Sequence, residues 1–142
     1  MKILILGLPG SGKSTLAEQV AKELGAVWIN ADQVREKYDD WDFSMEGRMR
    51  QSSRMRHLSD GVVMAGNIAI TDFVCPTEEA RSNFDADLVV WMDTIEEGRF
   101  EDTNKVFVPP VNYDCRITEW SDSNEELLVN TIKGKLNELQ IS

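Results

Sequence analysis

The stretch Gly7-Leu8-Pro9-Gly10-Ser11-Gly12-Lys13-Ser14 constrains this chain more than any other. It fits GxxxxGK[ST] at every fixed position, and its flanks fit as well. Residues 2–6 ahead of it (KILIL) read as an apolar strand buried on both faces. Residues 13–24 behind it place Leu16, Val20 and Leu24 on one helical face, closed by Gly25. Each residue type in the loop has a physical reason. Glycines accept positive φ and let backbone N–H groups approach phosphate oxygens. The amino end of the following helix adds partial positive charge. The Lys13 ammonium reaches the β- and γ-phosphates, the Ser14 hydroxyl ligates magnesium, and Thr15 touches the α-phosphate. Gly7 through Thr15 therefore read as a cradle for ATP with Mg2+.

The rest of the chain alternates strand and helix, the pattern of a parallel sheet covered by helices. Strands are expected at 27–30, 67–73, 88–92 and 115–118. Helices are expected at 31–37, from Ser44 to about Ala65, from Thr77 to about Asn83, and after the capping box Ser123-Asn124-Glu125-Glu126. The long helix should bury Met45, Met49, Met55, Leu58 and Val62. The last should bury Leu127, Leu128, Ile132, Leu136 and Leu139. Residues 94–114 read as irregular. The expected fold is α/β, a P-loop NTPase with a mostly parallel five-stranded sheet, helices on both faces and one domain over 1–142.

Composition narrows the function. The chain has 142 residues and a net charge of −10. Residues 1–71 hold nine basic and nine acidic groups, so the surplus lies in 72–142, with six basic and sixteen acidic. A long nucleic-acid partner is not expected of such a chain. Nor is a membrane span, since no apolar run approaches the ~18 residues required. Two cysteines, Cys75 and Cys115, and one histidine, His57, rule out a zinc cluster or a CxxC pair. With no signal peptide recognisable at the amino end, a cytoplasmic location with free thiols is expected. A GTPase would carry an N/TKxD base-reading motif, and none is present. A kinase of small metabolites fits this length best.

Candidate acceptor residues follow the second strand. Asp32 would accept a proton from an attacking hydroxyl, hold a magnesium water, or simply cap the next helix. Arg35, on the same helical face, would bind an acceptor phosphate or sulfate, or stand in solvent. The only basic stretch holds Arg48, Arg50, Arg54, Arg56 and His57. On a helix Arg50, Arg54 and His57 share one side, and Arg48 and Gln51 another. At least one of these arginines is expected to meet an anionic substrate, while His57 reads as structural.

The order of these motifs resembles the adenylylsulfate kinase family. GLPGSGKST is similar to that family's phosphate loop, and Asn30–Arg35 to its DGDNVR segment. Asp42-Phe43-Ser44 followed by Arg48 and Gln51 resembles its GFS…R..N segment. Phe73-Val74-Cys75-Pro76 resembles FISP, and Phe107–Pro110 with Val111-Asn112 resembles YEPPENP. The resemblance implies transfer of the ATP γ-phosphoryl to the ribose 3′-hydroxyl of adenylyl sulfate, a step of sulfate assimilation. It implies Asp32 as base or magnesium-site carboxylate, with Lys13 and Arg35 as its catalytic companions. It implies Arg35, Phe43, Arg48 and Gln51 around the acceptor, Phe43 against adenine, and the backbone at Phe73, Val74 and Cys75 lining the same pocket. A 5′-hydroxyl polynucleotide kinase, another small-molecule kinase, and a non-catalytic nucleotide binder are the alternatives. The departures from the pattern are informative. The family's first Asp is Asn30, its FISP serine is Cys75, its Asn is Gln51, and Asp72 adds a carboxylate suited to magnesium. The long basic lid is reduced to residues 94–105, which leaves Arg99 and Lys105 as its cations, with Arg99 taken as a nucleotide contact. The sequence leaves a homodimer open.

Overall fold

The computed structural model describes residues 1–98 and 101–141. Its strands are β1 (Lys2–Leu6), β2 (Val27–Asn30), β3 (Ala69–Asp72), β4 (Leu88–Met92) and β5 (Cys115–Ile117). They form one sheet in the order β2-β3-β1-β4-β5, and every neighbouring pair is parallel. The helices among the described residues are α1 (Lys13–Leu24), α2 (Ala31–Tyr38), α3 (Met45–Met64), α4 (Glu78–Phe84), α5 (Glu101–Val106) and α6 (Asn124–Ile141).

The pleat of β1 explains the layers, because alternate side chains point to opposite faces. Ile3 and Ile5 pack with Leu16 and Val20 of α1 and with Leu128, Val129 and Ile132 of α6. Leu4 and Leu6 pack on the other face with Val34 of α2, Met55 of α3 and Phe84 of α4. Both faces of the central strand are thus dry, which is why KILIL shows no polar alternation. Each fully buried Leu or Ile contributes about 1.5–3 kcal/mol, so β1 anchors the loop that follows it.

Four elements differ from the sequence expectation. β3 starts at Ala69, not at 67, because the Asn67 amide is used to close α3 through the Val62 carbonyl after Gly66 (φ 86°). A short helix, α5, occupies part of the stretch read as irregular. It has no apolar period to announce it; among its described side chains the polar Thr103 is buried. Met45 and Met49 are exposed, and α3 instead turns Gly47, Gln51 and Ser52 inward over its first half. That half faces a cleft and not a core, so an apolar stripe is absent there by necessity. In α6, Leu127 is half-exposed while Leu128 is fully buried and Leu136 packs against the core. The side chain of Leu139 lies outside the described residues.

Candidate active site

The phosphate loop runs from the end of β1 into α1. Gly12 (φ 98°) caps α1 in a conformation that side chains with a Cβ avoid. A Cβ there would also stand 2.6 Å from the Trp120 ring, so that ring, on the β5–α6 connection, lies directly against the loop. Lys13 is buried, and its Nζ donates to the Leu8 carbonyl at 3.0 Å, which folds the ammonium back into the loop. From the end of β4, Thr94 Oγ1 donates to the Ser11 carbonyl at 2.8 Å.

Register brings a second group beside the loop. Asn30 at the end of β2 pairs with Asp72 at the end of β3. Ser14 Oγ donates to Asp72 Oδ1 at 3.2 Å. Asn30 Nδ2 donates to Ser14 Oγ at 3.0 Å and to the two Asp72 oxygens at 3.2 and 3.3 Å. Trp28 Nε1 donates to Asp72 Oδ2 at 2.5 Å. Burial pushes the Asp72 carboxyl above its usual range, against the pull of these donors and of the Lys13 charge. Asn30 for Asp and the added Asp72 therefore form one compensated pair. Two carboxylates facing each other across β2 and β3 would repel, whereas an amide donates to the one that remains. Asn30 also accepts from the Gln33 amide at 3.0 Å and so caps α2. Asp32 is thus not the cap. It is exposed in the first turn of α2 and lines the cleft.

The cleft has a volume of about 820 Å³ and joins Lys13, Ser14 and Asp32 to Arg35, Phe43 and Arg48. Arg35 is buried, and its Nη1 donates to the carbonyls of Asp40 and Asp42 at 3.0 and 3.2 Å. Its guanidinium lies 4.3 Å from the Phe43 ring centroid. Burial is the main reason its pKa falls below the ordinary arginine value. Arg48 donates to the Phe43 carbonyl at 2.9 Å and to Thr103 Oγ1 at 3.0 Å. Both arginines therefore hold the 40–44 turn that presents Phe43. The same turn packs so closely on α3 that a Cβ at Gly47 would fall 2.0 Å from the Asp42 carbonyl oxygen. Gln51 Nε2 donates to the Ala31 carbonyl at 2.9 Å. Its Oε1 and Ser52 Oγ are buried without a partner among the described residues, and both residues line the cleft.

The opposite wall is Phe73, Val74, Cys75 and Pro76. Cys75 sits at φ 47°, and burial pushes its thiol up to about 12. That thiol is inert toward ionisation at neutral pH. The buried Arg81 fixes this wall by donating from Nε to the Cys75 carbonyl at 3.0 Å and from Nη2 to the Val108 carbonyl.

Most of the residues singled out from sequence meet in this one cleft. Arg50 and Arg54 do not. They bond to Asp40, and Arg50 also to Asp42, on the outer side of the same turn. His57 is exposed. Arg99 lies outside the described residues, and Lys105 pairs with Glu101 on the surface. Trp28, Trp41, Ser52, Thr103 and Trp120 were not foreseen. Trp41 and Thr103 line the cleft, and neither belongs to a motif that sequence spacing could flag.

Known proteins resemble this chain in sequence and in fold. The family model described as adenylylsulphate kinase matches residues 1–111. The adenylyl-sulfate kinase of Thermodesulfovibrio yellowstonii is 40% identical over 85 residues, 56% of this chain and 42% of that protein. A probable adenylyl-sulfate kinase of Bacillus subtilis is 31% identical over 110 residues, 73% of this chain and 51% of that protein. The chain spans about half the length of these relatives. The fold matches that of the Mycobacterium tuberculosis APS kinase CysC, solved in complex with AMPPNP and APS. The TM-score is 0.80 at 22% identity, over 93% of this chain and 96% of that one. With the family model running from β1 through the cleft walls to residue 111, the chain belongs to the adenylylsulphate kinase family.

Proposed function

We propose that this chain is an ATP-dependent kinase that transfers the γ-phosphoryl group to the 3′-hydroxyl of adenylyl sulfate. The observation that carries this reading is the single cleft that joins the phosphate loop to Phe43, Arg35 and Arg48. ATP supplies its phosphates to the loop, where backbone N–H groups and Lys13 take up the charge. The acceptor lies between Phe43 and the 73–76 wall, its purine against the aromatic face and its anionic end toward the guanidinium groups. The orphaned Gln51 Oε1 and Ser52 Oγ are polar groups in need of a ligand's hydrogen bonds. Asp32 receives the proton of the attacking hydroxyl as that oxygen bonds to the γ-phosphorus. The bond from that phosphorus to the bridging oxygen breaks, and ADP leaves.

Ser14 and Asp72 suit Mg2+ because they offer only oxygen donors at the phosphate end of the cleft, with Asp32 as a further carboxylate in reach of the same space. Among the described residues no group of three or more His, Cys, Asp or Glu forms a ready-made cage. That fits a cation completed by phosphate oxygens and water. When bound, Mg2+ neutralises charge on the β- and γ-phosphates. A cytoplasmic setting agrees with two free cysteines.

Coupled ADP release tests the reading, with adenylyl sulfate, other nucleotides and a 5′-hydroxyl oligonucleotide as acceptors. Strong stimulation by adenylyl sulfate is expected. Stimulation by the oligonucleotide alone would replace the acceptor. Tight ATP binding with no stimulated release would leave a nucleotide-binding protein.

A further inference from the structure

We propose that Trp28 is a positioning residue for the metal-site carboxylate, its indole N–H holding Asp72 so that Oδ1 faces Ser14. The inference rests on the reading of Asp72 as a magnesium-site group. A carboxylate has a soft terminal torsion, so its direction is set by its partners. Here the partners divide the two oxygens unevenly. Ser14 Oγ bonds Oδ1 at 3.2 Å, and Trp28 Nε1 bonds Oδ2 at 2.5 Å. Asn30 Nδ2 straddles both oxygens at nearly equal distances and so selects neither. Trp28 is thus the donor that pins Oδ2 and leaves Oδ1 toward the phosphate loop.

The indole itself is well held. Trp28 and Asn30 stand two apart on β2 and share a face, the one covered by α1, where Ser14 lies. The ring is half-buried and packs against the core beneath α1. Asn30 in place of an acid leaves Asp72 as the carboxylate bonded to Ser14, with no second carboxylate in that network to compensate for a misaimed one. Groups that orient metal ligands in this way commonly change metal affinity by about 10- to 100-fold when removed.

Manganese serves as a paramagnetic stand-in for Mg2+, and its binding in the presence of AMPPNP is read by electron paramagnetic resonance. Trp28→Phe keeps the ring and removes the donor. It is expected to weaken Mn2+ binding about 10-fold or more, with adenylyl sulfate KM unchanged at saturating metal. Trp28→His returns a ring N–H and should recover part of the loss. In an Asp72→Asn background, Trp28→Phe should add no further loss, because the tryptophan acts through Asp72. Wild-type Mn2+ affinity in Trp28→Phe, or an equal loss in the Asp72→Asn background, would overturn the inference. If Asp72→Asn itself binds Mn2+ as the wild type does, the underlying reading of Asp72 fails and takes the inference with it. If Asp72→Asn is weakened and Trp28→Phe is not, only the role of Trp28 fails.

Discussion

Gly12→Ala should be among the most damaging single methyl additions in this chain, and two separable costs explain why. The first is backbone strain. Gly12 has φ 98°, and an L-residue held in left-handed space loses roughly 1–2 kcal/mol. The second is overlap. The new Cβ would stand 2.6 and 2.9 Å from two Trp120 ring carbons, so the ring must move. Forced overpacking of that kind costs about 1–3 kcal/mol. The sum is about 2–5 kcal/mol, or a fall in Tm of roughly 8–20 °C for a domain of this size. Thermal melts followed by circular dichroism, with and without ATP and Mg2+, measure it. Trp120→Ala removes the overlap and leaves the strain. The Gly12→Ala penalty in a Trp120→Ala background should therefore shrink to about 1–2 kcal/mol. An unchanged penalty would show that Trp120 does not bear on the loop. A Tm within 2 °C of wild type for Gly12→Ala alone (about 0.5 kcal/mol) would refute both terms.

Other residues give sharper functional readings. Lys13→Ala should abolish turnover with the far-ultraviolet spectrum unchanged; full activity would remove the phosphate-loop assignment. Asp32→Asn should lower kcat by roughly 10²- to 10⁴-fold while ATP affinity holds, and a normal kcat would reduce Asp32 to a surface group at the start of α2. Phe43→Ala should raise the acceptor KM by roughly 2- to 12-fold, the value of one aromatic stack, with ATP KM unmoved; equal changes in both would place Phe43 outside the acceptor site. Burial raises the Asp72 pKa in the folded protein, so the unfolded chain releases this proton first and folding stability falls as pH climbs through the folded pKa. The stability of Asp72→Asn relative to wild type should therefore rise from about pH 4 upward and then level, and a flat difference between the two pH profiles would contradict the raised pKa.

Sequence disclosed most of this fold because the chain states its periods openly. KILIL, the Leu16–Val20 face and the Gly25 stop leave little freedom for β1 and α1. The structure adds that Gly25 closes α1 at φ 65°. The cleft was less legible, for a physical reason. A helix facing a cleft need not be apolar inward, and Gln51 and Ser52 carry no period that distinguishes them from a solvent face. Thr103 was hidden for the same reason. Its helix is six residues long, and the group it buries among the described side chains is polar. Trp28 and Trp120 were hidden differently. Each acts through a contact across strands or loops that spacing along one segment cannot express.

The charge distribution shows how an acidic protein can hold an anion site. Arg48, Arg50 and Arg54 lie within seven residues, yet they face different partners. Arg50 and Arg54 are taken up by Asp40 and Asp42 on the outside of the 40–44 turn. Asp40 is held below the usual carboxylate range by Arg50, the Asp42 amide and Arg54, and Asp42 by the Ser44 hydroxyl and amide and then by Arg50. The exposed Arg50–Asp42 pair adds little stability, but together these pairs neutralise the turn's own acids. Arg35 and Arg48 meet the turn from the cleft side through its carbonyl oxygens. Both line the cleft, in the half of the sequence whose formal charge is zero. Removing Asp40 would then do more than break two ion pairs. It would free Arg50 and Arg54 and loosen the turn that carries Phe43, so acceptor binding should weaken although the local charge becomes more positive.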